Sequence, residues 1–240
     1  FISLIIKLAV QVLSFSFKRG YLMTHPFKNN RVVFFDIDNT IIANKGFPNL
    51  SQWAGALESY LIDYAKKNNL SQNEKISITT KYITQYIVSM KPKLVEPEVV
   101  DLICAINELN IPIIGLTGRP VGTEYKTFEQ LKLFDIDFSQ HPFEQKRIVF
   151  ESKDFPALFE QGIITCNNNN KGVIMLQFLH EVGMMPRKVM FIDDDESFMQ
   201  EVDAQLKLAD IELVGLRYGY LDDKLDDFVL TREFIPEELR

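Results

Sequence analysis

The chain has 240 residues, of which 46% are hydrophobic and 25% are charged, as is typical of a globular protein with a sizeable core. Its 33 acidic and 26 basic residues give a net charge of −7, which argues against a protein that binds nucleic acid by neutralising phosphates. Cys104 and Cys166 lie far apart and form no CxxC pair. They indicate neither a zinc cluster nor a disulfide framework, and we expect both to be buried thiols.

The hydrophobic N-terminal segment, residues 1–22, has three open interpretations. From Phe1 to Phe17 its only charged side chain is Lys7. The segment is compatible with a signal peptide, with a helix or short anchor that contacts a membrane, and with an extension upstream of a translation start at Met23. We expect a cytoplasmic protein, with an exported or periplasmic one as the alternative if the segment is a signal. The oligomeric state stays open.

Short apolar runs and amphipathic segments alternate from Arg31 onward. The apolar runs predict buried strands at residues 32–36, 113–116, 189–192 and 213–216. The amphipathic segments predict crossover helices at residues 97–109, 123–133 and 171–182. This alternation favours an α/β fold with a parallel sheet.

A pair of helices is predicted directly after the first strand. One covers residues 51–68, and the capping box of Ser71 and Glu74 opens another that runs to about Met90. We therefore expect a helical cap at residues 49–90, inserted into a catalytic core of residues 23–48 and 91–240. Aromatic residues of the cap are expected to pack inside it, with stacking on a substrate ring as the alternative: Trp53, Tyr60, Tyr82 and Tyr86.

The region between Ile148 and Cys166 is predicted to hold a hairpin or an extra pair of strands. Its apolar pieces are IVFE and GIITC, which flank a polar stretch. The following run, Asn167 to Asn170, is predicted to be a solvated loop, one of whose asparagines caps the next helix.

Two carboxylates follow the first predicted strand. If the chain stays extended, Asp36 and Asp38 project on the same side, because side chains alternate along a strand. Two negative charges at such a short distance repel each other, so the pair requires a shared proton or a bound cation. An isolated DxD is equally typical of a solvated strand end.

Three further polar clusters occupy strand ends or helix starts: Leu116-Thr117-Gly118-Arg119, Asn170-Lys171-Gly172 and Phe191-Ile192-Asp193-Asp194-Asp195. Ligands of open α/β sheets bind beyond the carboxyl ends of the strands, so these clusters are expected to converge with Asp36 and Asp38. In this order, the set resembles the four motifs of the haloacid dehalogenase superfamily. That superfamily contains phosphatases and related phosphoryl-transfer enzymes built on a Rossmann-like parallel sheet with helices on both faces. The resemblance covers residues 31 to about 219.

The resemblance implies a role for each motif. Asp36 would be the nucleophile that forms a phospho-aspartate, and Asp38 would be the general acid and base. Thr117 would bind the transferring phosphoryl group, and Lys171 would offset the negative charge around it. The presence of Asp38 argues against the dehalogenase branch, which lacks this second acid.

The same resemblance implies Mg²⁺ as the cofactor. Its expected ligands are Asp36, the backbone carbonyl of Asp38, and Asp193, with Asp194 assisting or holding a bound water. The chain is also similar to an uncharacterised branch of bacterial proteins related to the class B and C acid phosphatases. This similarity lies in the run from Leu116 through Thr127, Gln130 and Leu131, then in Gly162-Ile163-Ile164 and the Asn170-Lys171-Gly172 step. That narrower similarity implies no particular substrate.

Substrate contacts are expected from three residues next to the motifs, Asn39, Gly118 and Arg119, although Arg119 is equally suited to pair with a local carboxylate. The predicted partner is a small phosphorylated molecule or a phosphoprotein. The main hypothesis is a Mg²⁺-dependent phosphomonoester hydrolase. The alternatives are a phosphotyrosine protein phosphatase, a phosphotransferase or mutase, and a phosphate-binding or scaffold module without turnover.

Overall fold

The computed structural model describes residues 31–46, 48–139, 147–152, 155–222 and 228–240. The predicted N-terminal segment of residues 1–22 lies outside these ranges. The strands are β1 Arg31–Phe35, β2 Ile42–Asn44, β3 Pro92–Leu94, β4 Ile113–Thr117, β5 Ile148–Phe150, β6 Ala157–Glu160, β7 Ile163–Thr165, β8 Lys188–Asp193 and β9 Glu212–Arg217. The helices are α1 Leu50–Lys67, α2 Gln72–Ser89, α3 Val99–Glu108, α4 Glu124–Lys132, α5 Lys171–Glu181 and α6 Glu196–Leu208.

Seven strands form the main sheet in the order β5-β6-β7-β4-β1-β8-β9. Strands β7, β4, β1, β8 and β9 are parallel, whereas β6 runs antiparallel to both of its neighbours. In register, Phe35 of β1 pairs with Gly115 of β4 and Ile192 of β8. The predicted strands β1, β4, β8 and β9 are therefore confirmed, each to within one or two residues.

Each face of the sheet carries its own apolar core. Val32 and Phe34 of β1 pack with residues of α5 and α6, whereas Val33 and Phe35 pack with residues of α3 and α4. This alternation follows from the two-residue period of a strand whose two faces are both buried. Each large apolar side chain buried in this way contributes roughly 1.5–3 kcal/mol. The predicted α/β class, with helices on both faces of the sheet, is confirmed.

Helices α1 and α2 form a hairpin, called the helical hairpin below. Asn49 caps α1 by accepting a hydrogen bond from the Gln52 backbone N–H, and Ser71 caps α2 in a capping box with Glu74, as predicted. Strands β2 and β3, which the sequence did not indicate, pair antiparallel on either side of the helical hairpin. The chain therefore leaves the core through β2, forms the helical hairpin, and returns to the core through the adjacent strand β3. None of the helices among the described residues combines the length and the hydrophobicity that a membrane-spanning segment requires.

The C-terminal segment, residues 228–240, packs against the helical hairpin. The indole N–H of Trp53 donates to the Phe234 carbonyl at 3.0 Å, and the Tyr60 hydroxyl donates to the Leu239 carbonyl at 2.6 Å. Trp53 also stacks on Tyr86, with ring centroids 4.9 Å apart. Trp53 and Tyr82 are buried in this apolar cluster. The expectation that the aromatic residues of the hairpin pack inside the protein therefore agrees with the structure.

The hairpin or extra pair of strands predicted between Ile148 and Cys166 is present, as the antiparallel strands β5, β6 and β7. IVFE does not pair with GIITC, because Ala157–Glu160 forms a separate strand, β6, that lies between them. GIITC instead provides β7, which pairs in parallel with β4. Gly162 makes the β6–β7 turn with a φ of 78°, and a Cβ there would lie 2.0 Å from the Phe138 carbonyl oxygen. This tight turn requires glycine.

The prediction of two buried thiols is correct for Cys166 and wrong for Cys104. Both cysteines are free, but Cys104 is exposed on α3. The buried stripe of α3 carries Leu102, Ile103 and Ile106. Cys104 falls off this stripe, because consecutive residues on a helix point about 100° apart. Burial raises the pKa of the Cys166 thiol to about 12, so that thiol is chemically quiet.

Candidate active site

Three parallel strands end at one edge of the sheet and bring the predicted motifs together. Asp36 follows β1, Thr117 is the last residue of β4, and Asp193 is the last residue of β8. The Asp36 backbone N–H donates to the Ile192 carbonyl at 2.9 Å, which keeps the end of β1 fixed to β8. The edge formed by the carboxyl ends of the strands is where α/β proteins bind ligands.

Lys171 lies between two of these carboxylates. Its Nζ donates to Asp36 Oδ1 at 2.6 Å and to Asp193 Oδ2 at 2.7 Å. The same nitrogen is 4.1 Å from the ring centroid of Phe198, and Lys171 is only 1% exposed. Burial lowers the pKa of Lys171, but the charges of Asp36 and Asp193 outweigh this effect and raise it. Lys171 is therefore a buried, charged ammonium group.

Asp36, Asp193 and Asp194 form an acidic cluster in which one carboxylate oxygen of each lies within 4.8 Å of the others. Burial raises the pKa of Asp36, Lys171 opposes the rise, and the neighbouring carboxylates add to it. Burial, followed by the charge of Asp193, raises the pKa of Asp194 to about 7. One ammonium group therefore offsets only part of the negative charge of the cluster.

The acidic cluster fits a divalent cation. Its donors are hard carboxylate oxygens that converge from two strand ends, and Lys171 leaves a surplus of negative charge when all three acids are ionised. Asp36, Asp193 and Asp194 are the residues that would hold Mg²⁺. The Asp193 Oδ1 atom is already fixed by the backbone N–H of Asp195 at 2.8 Å.

Binding of Mg²⁺ is expected to strengthen as the pH rises. Asp194, with a pKa of about 7, must lose its proton to bind the ion, so affinity should be about tenfold higher near pH 8 than near pH 6. The measurement is the rise in melting temperature on addition of Mg²⁺ at each pH, converted to an apparent Kd. Replacement of Asp194 by Asn should weaken binding and flatten its pH dependence. Equal Mg²⁺ stabilisation of the wild-type protein at both pH values would contradict this assignment.

Asp38 pairs with Arg119, whereas Asp36 pairs with Lys171. Arg119 donates to it through two parallel hydrogen bonds, from Nε to Oδ2 at 2.8 Å and from Nη2 to Oδ1 at 2.7 Å. Arg119 is 2% exposed, whereas the Asp38 side chain is 13% exposed. Of the two interpretations of Arg119, the structure shows the pairing with a local carboxylate. Direct substrate binding by Arg119 stays a prediction.

The remaining predicted residues lie around Asp38. Thr117 Oγ1 makes a long 3.5 Å contact to Asp38 Oδ2 and accepts the Arg119 backbone N–H at 3.2 Å. Asn39 is buried, with a φ of 64°, and its Nδ2 donates to the Ser51 hydroxyl of α1 at 2.9 Å. Gly118 lies in the adjacent loop. For Asn39 and Gly118, contact with substrate stays a prediction.

The asparagine loop of residues 167–170 is partly exposed to solvent, and its backbone is hydrogen-bonded to the Gly118–Arg119 loop. The Asn167 N–H donates to the Arg119 carbonyl at 3.1 Å, and the Asn168 N–H donates to the Gly118 carbonyl at 3.2 Å. Both asparagines have positive φ, a conformation that asparagine tolerates better than most residues. Asn170 caps α5 by accepting the Val173 N–H, as predicted, and so fixes the helix that begins with Lys171.

Two residues of α4 belong to the site, although the sequence similarity that includes them implied no role for either. Thr127 Oγ1 and Gln130 Oε1 accept hydrogen bonds from Arg119 Nη1 at 2.9 and 2.7 Å. Both are essentially fully buried. Their helical spacing, next to the buried Leu131, is the sequence signal that could have indicated a shared role, because two polar positions three residues apart share one helix face.

Comparisons with solved structures give distant similarities. The chain is similar to a HAD family enzyme from Bacteroides thetaiotaomicron in a magnesium complex, with 13% sequence identity, a TM-score of 0.41, and coverage of 79% of this chain and 94% of that chain. It is also similar to a defluorinating L-2-haloacid dehalogenase, with 13% identity, a TM-score of 0.39, and coverage of 76% and 79%.

Comparisons of sequence give uncharacterized rickettsial proteins. One from Rickettsia felis is 29% identical over 167 residues, which are 63% of this chain and 55% of that protein. One from Rickettsia prowazekii (strain Madrid E) is 27% identical over 196 residues, which are 78% and 69%. The chain thus spans little more than half the length of the first of these relatives. A family model described as "Protein of unknown function (DUF2608)" matches residues 14–233. The chain therefore belongs to the DUF2608 family.

Proposed function

We propose that this protein is a Mg²⁺-dependent phosphomonoester hydrolase that acts through a phosphorylated Asp36. The observation that carries the proposal is the separation of two acids with different surroundings. Asp36 lies in the acidic cluster on the ammonium group of Lys171, and Asp38 is held nearby by Arg119. A nucleophile and a proton carrier are the two functions that this hydrolysis requires.

The reaction has two displacements. In the first, a carboxylate oxygen of Asp36 attacks the phosphorus, the bond from phosphorus to the leaving oxygen breaks, and Asp38 gives a proton to that oxygen. In the second, Asp38 takes a proton from water as the water oxygen attacks the phosphorus. The bond from phosphorus to Asp36 then breaks and releases inorganic phosphate, so both carboxyl groups regain their starting states.

The other site residues support this chemistry by charge and hydrogen bonding. Lys171 keeps the Asp36 carboxylate oriented and offsets the negative charge that the phosphoryl group brings. Thr117 presents a hydroxyl beside Asp38. When bound by the acidic cluster, Mg²⁺ supplies Lewis-acid stabilisation of the phosphoryl oxygens. The order of the motifs, which resembles that of the haloacid dehalogenase superfamily, agrees with these roles.

The proposal is tested with p-nitrophenyl phosphate and the full chain. We expect p-nitrophenolate release to fall at least about tenfold in EDTA and to return on addition of excess Mg²⁺, because the ion offsets charge in the transition state. Circular dichroism in EDTA checks that the protein stays folded. Absence of release from a folded protein that binds Mg²⁺ would contradict the proposal and favour a phosphate-binding module.

A further inference from the structure

A chain of buried hydrogen bonds joins Asp38 to the helical hairpin. Arg119 holds both oxygens of Asp38 and donates from Nη1 to Gln130 Oε1 at 2.7 Å. Gln130 Nε2 in turn donates to the Ile87 carbonyl of α2 at 2.8 Å. We call this chain, from Asp38 through Arg119 and Gln130 to Ile87, the Asp38 relay.

The relay needs a side chain that accepts and donates at once. Gln130 does both, because its amide oxygen accepts from Arg119 while its amide nitrogen donates to Ile87. Thr127 completes the arrangement by accepting from Arg119 and donating to the Thr123 carbonyl at 2.9 Å. In a buried network, removal of one member leaves its partners unsatisfied, so the orientation of the guanidinium depends on Gln130.

A second link ties the same loop to the other helix of the hairpin. Asn39, the residue after Asp38, donates to the Ser51 hydroxyl near the start of α1 at 2.9 Å. Ile87 lies near the end of α2. The segment that carries Asp38 is therefore linked to both helices of the helical hairpin. Asn39 links it directly to the start of α1, and the relay links it indirectly to the end of α2.

We propose that Gln130 is a positioning residue that acts through Arg119 to hold the Asp38 carboxylate in place for its proton transfers. This inference rests on the proposed function, because it assumes that Asp38 takes the proton from water in the second displacement. A carboxylate held by two parallel N–H bonds has a fixed plane, and proton transfer requires the acceptor oxygen at hydrogen-bond distance from the water. Without Gln130, the Arg119 guanidinium is less well fixed, and the Asp38 carboxylate that it binds is less well oriented.

The test uses Gln130→Met, which keeps the volume of the side chain and removes both hydrogen bonds. On p-nitrophenyl phosphate the first displacement needs little proton donation, because p-nitrophenolate is a good leaving group. We therefore expect kcat to fall about tenfold while kcat/KM, which reports the first displacement, stays within about twofold. The initial burst of p-nitrophenolate should persist, because phosphorylated Asp36 accumulates when the second displacement is slow.

A purely structural role predicts a different pattern. If Gln130→Met only lowered the amount of folded enzyme, kcat, kcat/KM and the burst would fall in the same proportion, and that result would overturn the inference, as would a variant with unchanged kcat. Gln177→Met is the matched control, since this half-buried glutamine lies on α5 against the other face of the sheet, and it should change neither constant.

A second variant separates the two halves of the relay. Gln130→Glu keeps an acceptor for Arg119 and removes the donor to Ile87, so it should retain more of kcat than Gln130→Met and remains usable if the methionine variant fails to fold. Impairment at least as great in the glutamate variant would show that the Arg119 contact is not the important one. Failure of the proposed function is recognised separately, because the wild-type protein would then show no Mg²⁺-dependent release at all.

Discussion

Replacement of Asp36 by Asn should abolish phosphatase activity and leave the protein folded. The amide is a poor nucleophile, so no phospho-enzyme forms, and losses of at least about 1000-fold in kcat are typical when a nucleophile is removed. The measurement is p-nitrophenolate release under saturating Mg²⁺. Turnover at the wild-type rate by a variant with native circular dichroism would show that Asp36 is not the nucleophile.

The same variant should be at least as stable as the wild-type protein in EDTA. Burial raises the pKa of Asp36, so the folded state holds its proton more tightly than the unfolded chain does. The wild-type protein therefore loses stability as the pH rises from the unfolded pKa of Asp36 through the folded one. Asn has no charge to bury and can still accept from Lys171, so the advantage in melting temperature should grow from pH 5 to pH 8.

Asp195→Asn provides the matched control for Asp36→Asn. Asp195 is the next acid after the cluster, and it caps α6 by accepting the Ser197 N–H at 2.7 Å. Asparagine caps helices about as well as aspartate does. This control should keep both its activity and its melting temperature, so a loss in both variants would indicate a general effect of removing negative charge near the site.

Replacement of Lys171 by Met should cost both activity and stability. The ammonium group offsets the buried carboxylates of Asp36 and Asp193, and removal of one partner of a buried ion pair typically costs about 3–5 kcal/mol. The measurement is the free energy of unfolding in urea near pH 8 in EDTA, with circular dichroism as the probe of unfolding. Release of p-nitrophenolate should fall with it, because Lys171 also offsets the charge of the phosphoryl group.

The stability loss of Lys171→Met should shrink as the pH is lowered. Lys171 opposes the rise in the pKa of Asp36 and of Asp193, so both pKa values increase further without it. An aspartate with a raised folded pKa destabilises the protein only above its unfolded pKa, so the loss should be smaller near pH 5 than near pH 8. Lys188→Met is the control, because its exposed pair with Glu212 is worth at most about 1 kcal/mol. Similar losses in the two variants would contradict the buried ion-pair network.

The core of the site could be predicted from the sequence because its residues are fixed by strand ends. Asp36, Thr117 and Asp193 each follow or end a buried apolar run, and parallel strands place such ends at one edge of a sheet. Lys171 could be added because it begins a helix that returns to that edge. Local sequence patterns were sufficient there, since each element was strongly periodic and the parallel order of the strands brings their carboxyl ends to one edge.

The partner of Arg119 could not be chosen in advance, because the sequence offers many carboxylates and only the fold brings Asp38 within reach. The role of Gln130 could not be predicted for the same reason, since its partners lie on a strand-end loop and on α2, far away in the chain. The strand Ala157–Glu160 was too short and too weakly alternating to be distinguished from a loop. In contrast, the exposure of Cys104 could have been predicted from the helical period of α3.

The contact between the helical hairpin and the C-terminal segment has a consequence for synthesis of the chain. Helices α1 and α2 leave the ribosome well before residues 228–240 are made, yet Leu57 and Leu61 belong to the cluster that those residues complete. The nascent chain must therefore expose part of this apolar surface until translation reaches the segment. Contacts between such distant parts of a chain slow folding and favour aggregation in the interval. Tags or fusions that restrain residues 228–240 would prolong that interval and increase the dependence of the chain on chaperones.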